Sequence, residues 1–402
     1  MGDGIRIRGQ NLLEVLRTLD AGGSMTAVAL AEQTGLSAAT ISRALMLLKD
    51  RQLIVQLGKE QAELGRRPEL FRLNARYGYH LYFYLSGGSL KVSLQDFCGA
   101  QRAACQAALP ADGAVSALLD TMQCLRTQLI QRCTRAEKRI LAVSLAIPGL
   151  VSDDGTIARI PDYPALEGYA LLRKLREVFG LPCFVYNLSR LCAMGEYLLC
   201  VPRRQALAYM DITDNCGIGA GLVLGGQLYE GAGGRAGEIG DMVVSLPMGV
   251  CTGTQQGLLE AQAGLASVYA RVQTLLQAGQ AQTLAAMLEK SGEPMNLRML
   301  EKAAAAMDLE VLEVLSETTQ LWAAAIVNLQ AVAAPDEIII GGAVSEENHL
   351  LEKLLRHHLR RLYHGSICLR LAGRNSTAHL TGACFFTKQF LLESAVRTAA
   401  AL

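Results

Sequence analysis

The sequence predicts an α/β protein that begins with a small, mostly helical domain. Three short amphipathic helices and two strand-like runs occupy residues 1–75, and strands alternate with helices from Tyr79 onward. Similar glycine-containing turns, SGG near residue 87 and NCGIGAG near residue 217, indicate a duplicated lobe in the second region. We therefore expect an N-terminal domain over residues 1–75 and a larger domain over residues 76–402.

Composition excludes several classes of protein. The chain has 402 residues, of which 51% are hydrophobic and 19% charged, and its formal net charge is +1, so any nucleic-acid surface must be local. Its 11 cysteines form no CxxC pair, and no apolar run reaches the roughly 18 residues of a membrane span. These features predict a reduced, cytoplasmic protein that makes no contact with a membrane.

Capping residues divide the N-terminal region into three helices. Asn11–Leu19 carries its apolar side chains on one face, Thr26 can cap a short second helix that ends at Gly35, and Ser37 can cap a third. The third helix, AATISRALMLLKD, repeats apolar residues at helical spacing and so has one buried stripe. The glycine turn between the second and third helices predicts a helix-turn-helix, whose later helix lies in the DNA major groove.

The outward face of the third helix suits a DNA groove. Ala39 is small enough for close approach, the hydroxyls of Thr40 and Ser42 can bond bases or phosphates, and Arg43 can reach a guanine. The strand-like runs LIVQLG and ELFRLN follow, and the loop between them predicts a wing whose arginines enter a minor groove. We predict DNA contacts from Ser37, Ala39, Thr40, Ser42, Arg43, Arg66 and Arg67. The alternative is a three-helix protein-interaction domain with a polar hairpin.

The second region alternates strands and helices through two halves. In the first half, HLYFYL and LKVSLQDFCG predict a hairpin, followed by helix 115–132, a buried strand ILAVSLAIPGLV, helix 170–179, strand CFVY and a helix from Leu191. The second half repeats a hairpin, ALAYMDIT with GIGAGLVLGGQLYEGAGG, before helices up to Ala334, the strand EIIIGGAVS and a final αβα series. We expect a ligand between the halves, because glycine turns expose backbone N–H groups.

Four segments together resemble one protein family. GRRP at the end of the wing, AIPGLVSDDG, NCGIGAGLVLGGQLYEGAGGRAGEIG and EIIIGGAVS are similar, in this order, to the ROK family of bacterial repressors and sugar kinases. The resemblance implies a two-lobed, actin-like (sugar kinase-like) domain behind the winged helix-turn-helix. It also implies a sugar site in the cleft between the lobes.

The resemblance also implies which catalytic groups are missing. ROK kinases have Asn-Asp where this chain has Asn187-Leu188, and leucine cannot accept a proton from a sugar hydroxyl. Tyr84 and Leu85 stand near the position of the Asp that opens the first phosphate motif. The family's zinc-binding histidine is replaced by Asp241, and one cysteine, Cys251, remains of three. We therefore expect no catalytic residue, no metal and no cofactor.

Carboxylates that face the sugar are better preserved. Glu238 and Glu260 match family positions that bond sugar hydroxyls, Asp162 stands where an asparagine is usual, and Arg190 replaces a second asparagine. Arg190 would favour a sugar phosphate or sugar acid over a neutral sugar. The alternatives are that Glu238 and Glu260 cap helices or pair with an arginine such as Arg235, and that Arg190 makes an ordinary ion pair. The predicted ligand-binding residues are Asp162, Asn187, Arg190, Glu238, Asp241 and Glu260.

The sequence as a whole predicts a transcriptional regulator, which we expect to be a repressor. Its partners would be a double-stranded DNA operator, a small sugar or sugar derivative as effector, and a second copy of the chain, because helix-turn-helix proteins read paired half-sites. Two alternatives stay open at this point. One is an ATP-dependent sugar kinase with an attached DNA-binding domain, and the other is a regulator whose ROK-like domain only dimerises.

Overall fold

The N-terminal unit contains three helices and a small antiparallel sheet. The computed structural model describes residues 2–59, 69–86, 88–110, 113–133, 139–214, 217–245 and 257–400. The N-terminal unit, residues 2–59 and 69–73, has its sheet in the order β1-β3-β2. Its elements are α1 (Gly2–Gly22), β1 (Met25–Thr26), α2 (Ala27–Thr34), α3 (Ala38–Asp50), β2 (Ile54–Lys59) and β3 (Glu69–Leu73).

The capping residues begin and end these helices as predicted. The Thr26 hydroxyl accepts a hydrogen bond from Ala29 N at 3.2 Å, and the Ser37 hydroxyl accepts one from Thr40 N at 3.3 Å. Gly35 ends α2 with a φ of 69°, a left-handed conformation that favours glycine. The predicted wing arginines, Arg66 and Arg67, lie outside the described residues, so their role stays a prediction.

The first lobe is a five-stranded mixed sheet with helices packed on it. Its central strands pair in the order β10-β7-β4-β5-β6, and β7 and β10 run parallel to β4. Its elements are β4 (Tyr79–Ser86), β5 (Ser89–Asp96), β6 (Gln101–Ala108), α4 (Val115–Gln131), β7 (Ile140–Ile147), β8 (Leu150–Val151), β9 (Ile157–Arg159), α5 (Leu171–Phe179), β10 (Cys183–Asn187) and α6 (Leu188–Leu199).

The second lobe repeats this topology. Its sheet has the order β13-β12-β11-β14-β15, so each lobe has an antiparallel three-strand meander followed by two strands parallel to the first. The predicted duplication is thus confirmed. Its elements are β11 (Ala206–Ile212), β12 (Ile218–Leu224), β13 (Gln227–Leu228), α7 (Leu259–Ala263), α8 (Leu265–Gln277), α9 (Gln282–Ser291), α10 (Leu297–Ala305), α11 (Leu309–Ala333), β14 (Glu337–Gly342), α12 (His349–Leu362), β15 (Leu369–Leu371) and α13 (Ala378–Ala400).

Helices α6 and α13 pack against each other at two glycines. A Cβ atom on Gly195 of α6 would lie 1.8 Å from the Ala378 carbonyl oxygen, and a Cβ on Gly382 of α13 would lie 2.1 Å from the Leu191 carbonyl oxygen. Any larger residue at these positions would push the helix backbones apart. None of the described helices is long and apolar enough to span a membrane.

The far end of α13 belongs to the core of the N-terminal unit. Leu392, Ala395 and Val396 of α13 are buried in one cluster with the apolar faces of α1 and α3. Ion pairs lie beside this cluster, from Arg17 to Glu393 at 3.2 Å and from Lys388 to Asp20 at 2.6 Å. Packing of α13 therefore joins residues on both sides of the predicted domain boundary at residue 75. That boundary stays a prediction.

Candidate functional site

The corner between β10 and α6 is built around an asparagine cap. The Asn187 Oδ1 atom accepts a hydrogen bond from Arg190 N at 3.0 Å, and its Nδ2 atom donates to the Gly149 carbonyl oxygen at 2.8 Å. Asn187 therefore fixes the loop after β7 to the first turn of α6. Helix α6 begins at Leu188, three residues before the predicted start at Leu191, because this cap lies further upstream than the sequence suggested.

Arg190 is turned away from the cleft. Its side chain is 7% exposed, and its guanidinium donates hydrogen bonds to the carbonyl oxygens of Gly234 and Ala236. Burial lowers the pKa of Arg190, against the opposing effect of nearby carboxylates such as Glu230 and Glu238. The expectation that Arg190 faces an anionic ligand is wrong for this geometry, because the guanidinium is already used to hold the loop at residues 231–236.

Three predicted carboxylates surround an arginine that the sequence did not single out. The Arg159 Nη2 atom lies 2.8 Å from Glu260 Oε1, and its Nη1 atom lies 3.6 Å from Asp241 Oδ1. Burial raises the pKa of Glu238; Arg190 and Arg159 oppose this shift, and Asp241 and Glu260 add to it. Glu260 therefore pairs with an arginine, as one alternative suggested. The partner is Arg159 and not Arg235, the arginine given there as an example.

Glycines allow the Glu260 carboxylate to lie against the backbone. A Cβ atom on Gly217 would lie 2.1 Å from Glu260 Oε2, and a Cβ on Gly240 would lie 2.7 Å from the same oxygen. The Ile218 N atom donates to this oxygen at 3.4 Å. The site needs glycine at both positions, and Gly217 also has a φ of 85°.

Two small cavities adjoin this group of charges. One, of about 40 Å³, is lined by Asn187, Glu238, Glu260 and Arg159, and the other, of about 180 Å³, is lined by Asp241, Glu260 and Arg159. Four of the six predicted ligand-binding residues are thus brought together: Asn187, Glu238, Asp241 and Glu260. Arg190 lines neither cavity, and Asp162 lies elsewhere in the cleft.

A third cavity, of about 570 Å³, lies between the two lobes and contains Asp162 and Leu188 in its wall. Tyr84 packs on His379 with ring centroids 4.5 Å apart. Asp211 is a buried carboxylate in the same wall; it accepts a hydrogen bond from the Ser189 hydroxyl at 2.8 Å, and burial raises its pKa. Leu188, whose side chain cannot take up a proton, lines the same cavity.

No group of three His, Cys, Asp or Glu side chains is arranged to hold a metal ion among the residues that the structure describes. Cys251, the cysteine that the resemblance relates to a zinc motif, lies outside them. The expectation that the zinc site is lost therefore stays a prediction.

The outward face of α3 presents the predicted DNA-contacting residues. Ala39, Ser42 and Arg43 are exposed, and within the described residues no hydrogen bond or ion pair engages the Arg43 guanidinium. The Thr40 hydroxyl lies 2.9 Å from the Ser37 hydroxyl, so both groups also serve the helix cap. This face is available for a partner.

Comparison with known proteins gives a consistent result. The model of the ROK family matches residues 87–389. The chain is 25% identical over 366 residues to a putative xylose repressor of Caldicellulosiruptor sp. (strain Rt8B.4), covering 90% of each chain. It is 27% identical over 281 residues to the DNA-binding transcriptional dual regulator NagC of Escherichia coli (strain K12), covering 67% of this chain and 66% of NagC.

Solved structures agree on the fold. A ROK family transcriptional regulator, described as a homologue of the E. coli MLC protein, superimposes with a TM-score of 0.79 at 24% identity and covers 98% of this chain and 99% of its own. A ROK family glucokinase from Streptomyces griseus superimposes with a TM-score of 0.62 at 20% identity and covers 77% of this chain and 99% of its own. The two-lobed, actin-like fold is shared with both. With its family match across both lobes, this chain belongs to the ROK family.

Proposed function

We propose that this chain is a DNA-binding transcriptional regulator, a repressor in type, whose ROK domain responds to a small carbohydrate. The observation that carries the proposal is the similarity to a putative xylose repressor over 90% of both chains. A ROK family transcriptional regulator also covers 98% of this chain, whereas a ROK family glucokinase covers 77%. The exposed polar face of α3 supports it. The proposed domains are residues 1–75 for DNA binding and 76–402 for sensing and assembly.

DNA would be bound by a winged helix-turn-helix formed by α2, the Gly35 turn and α3. In this arrangement α3 enters the major groove, with Ala39 and Ser42 near base edges and Arg43 reaching a guanine or a phosphate. The proposed wing, with Arg66 and Arg67, would follow the adjacent minor groove. A homodimer would present two such units to paired half-sites.

The sugar would bind where Asn187, Glu238, Asp241 and Glu260 meet. Carboxylate oxygens accept hydrogen bonds from hydroxyl groups, and several such acceptors on one wall suit a ligand with many hydroxyls. The larger cavity would widen or narrow as the lobes move. The names of the relatives suggest xylose and N-acetylglucosamine as the first sugars to try.

A continuous packed route supports communication between sugar and DNA. Helix α6 begins at the sugar-site cap Asn187, packs closely on α13 through Gly195, and α13 ends in the core of the N-terminal unit. We propose that sugar binding favours one angle between the lobes, that α13 shifts with α6, and that the spacing of the two DNA-binding units in the dimer changes.

Phosphotransfer to a sugar is not part of the proposed function. The position of the family's catalytic base is Leu188, and a general base contributes about 10²–10⁴ to rate. Asp211 lies near this corner, but its carboxylate accepts a hydrogen bond from Ser189 and is buried. The kinase alternative therefore lacks a carboxylate at residue 188, where the resemblance to ROK kinases expects the general base.

DNA binding is tested by selecting a cognate duplex from a random library and measuring affinity with Arg43→Ala. If Arg43 reads a base, its loss should weaken cognate binding by about 1–3 kcal/mol and leave random DNA less affected. Arg173→Ala, at an exposed arginine on α5, is the matched control and should change neither affinity. Failure to select any duplex, or equal affinity of wild type and Arg43→Ala for the cognate site, would contradict the proposed role of α3.

A further inference from the structure

Arg159 lies between the two small cavities, in the space that the proposed sugar would fill. Arg159 is in the wall of both the 40 Å³ and the 180 Å³ cavity, together with Gly217 and Glu260. Neither cavity reaches the roughly 300 Å³ of a typical small-molecule pocket. The Arg159 side chain thus lies where the two small cavities adjoin, beside Glu260, which also lines both.

Arg159 contacts the same carboxylates that the proposed sugar hydroxyls would contact. Its guanidinium donates to Glu260 at 2.8 Å and lies 3.6 Å from Asp241, and these are two of the acceptors that the proposed function assigns to ligand hydroxyls. The Arg159 side chain is 41% exposed, and Glu260 is 28% exposed, so this pairing is in contact with solvent and can be exchanged. A ligand that brings its own donors can replace the guanidinium.

We propose that Arg159 is a built-in competitor that determines which ligands enter the site. The bound state would have Arg159 displaced toward solvent and the two small cavities joined, with ligand hydroxyls donating to Glu260 and Asp241. This inference rests on the proposed function as a sugar-responsive regulator, and it adds a gating residue and a ligand class.

The charge balance selects the ligand class. Once Arg159 has moved, the ligand faces Glu238, Asp241 and Glu260, whereas Arg190 keeps its charge but lines neither small cavity and donates its hydrogen bonds to backbone carbonyl oxygens. Three carboxylates repel an anion and accept donors. The ligand is therefore a neutral polyhydroxylated sugar or an amino sugar with a protonated amine, and a sugar acid or sugar phosphate is disfavoured.

Calorimetry on the full-length protein tests this directly. The probes are D-xylose, N-acetylglucosamine, D-glucosamine and D-glucuronate, and the proteins are wild type, Arg159→Ala, Arg159→Gln and the control Arg271→Ala. Arg271 is a matched control because it is similarly exposed, 39% against 41%, and is paired with a carboxylate, Glu317, and neither of these two residues lines either small cavity. Thermal melting without ligand shows which variants fold, and Arg159→Gln serves if Arg159→Ala does not.

The expected result is tighter binding by the Arg159 variant that folds. Removing the competing contacts should raise affinity for at least one neutral or amino sugar by about 3–10-fold, with Arg271→Ala unchanged. Unchanged or weaker binding in the folded variant, no binding of any neutral or amino sugar, or tightest binding of glucuronate would each overturn the inference. If sugars bind wild type and variant equally, and DNA binding still responds to them, the regulator proposal stands while the role of Arg159 fails.

Discussion

Replacing Arg190 with alanine should destabilise the protein in the absence of any ligand. The Arg190 guanidinium donates to the carbonyl oxygens of Gly234 and Ala236, the second at 3.4 Å, and it is the charged donor at a buried corner. A hydrogen bond to a charged group contributes about 1.5–3 kcal/mol, and the longer bond contributes less, so we expect a loss of about 2–4 kcal/mol in the free energy of unfolding.

Two measurements separate this structural role from a ligand contact. Urea denaturation gives the loss of free energy, and amide hydrogen exchange should accelerate locally at residues 230–237, because the loop loses its anchor. The control Arg173→Ala removes an exposed arginine and should change stability by less than about 0.5 kcal/mol. If Arg190→Ala unfolds like wild type and the loop amides exchange at the wild-type rate, the guanidinium does not hold the loop, and our account of this corner is incorrect.

Three further substitutions probe other parts of the molecule. Gly195→Ala should destabilise by about 1–3 kcal/mol in urea, despite the better helix propensity of alanine, since its Cβ would lie 1.8 Å from the Ala378 carbonyl oxygen; a gain in stability would show that α6 and α13 can separate freely. Burial lowers the pKa of His80 to about 4 from 6.5, so on acidification the unfolded chain takes up this proton first, and stability present above pH 6.5 is lost as pH falls towards 4. His80→Gln should remove about 3 kcal/mol of that pH dependence, and an unchanged slope of stability against pH would refute the lowered pKa of His80. Leu188→Asp should not create a hexose kinase, because Tyr84 still stands at the first phosphate turn; sugar-dependent ADP formation by this variant would contradict us.

Local signals in the sequence were sufficient for most elements. Thr26, Gly35 and Ser37 place α2 and α3 because capping depends on residues within three positions of the helix end. Helix α1 begins at Gly2, upstream of the predicted start at Asn11, where the sequence offered no cap. The duplicated lobe followed from two glycine turns of the same kind. Strand β6, QRAACQAA, was not predicted, because its small and polar residues have low β propensity. Its hydrogen bonds to β5 stabilise the strand in the folded protein.

The site was harder to predict because its contacts are distant in sequence. Placing the start of α6 at Leu191 left Arg190 in a loop that could face the cleft, whereas a helix from Leu188 directs that side chain to the loop at residues 231–236. Arg159 gave no signal within its own segment, since its partners Asp241 and Glu260 are brought to it only by the fold. The sequence therefore named Asp241 and Glu260 as predicted ligand-binding residues, which stays a prediction, and did not single out Arg159, which pairs with both of them.

The packing of α13 into the N-terminal unit sets the order of events during protein synthesis. Helices α1 and α3 leave the ribosome first, but their core also contains Leu392, Ala395 and Val396. At about 5–20 residues per second, roughly 15–65 s pass between the synthesis of β3 and the synthesis of these three residues. Until then the N-terminal unit lacks part of its core, so we expect it to be completed only after both lobes have been synthesised.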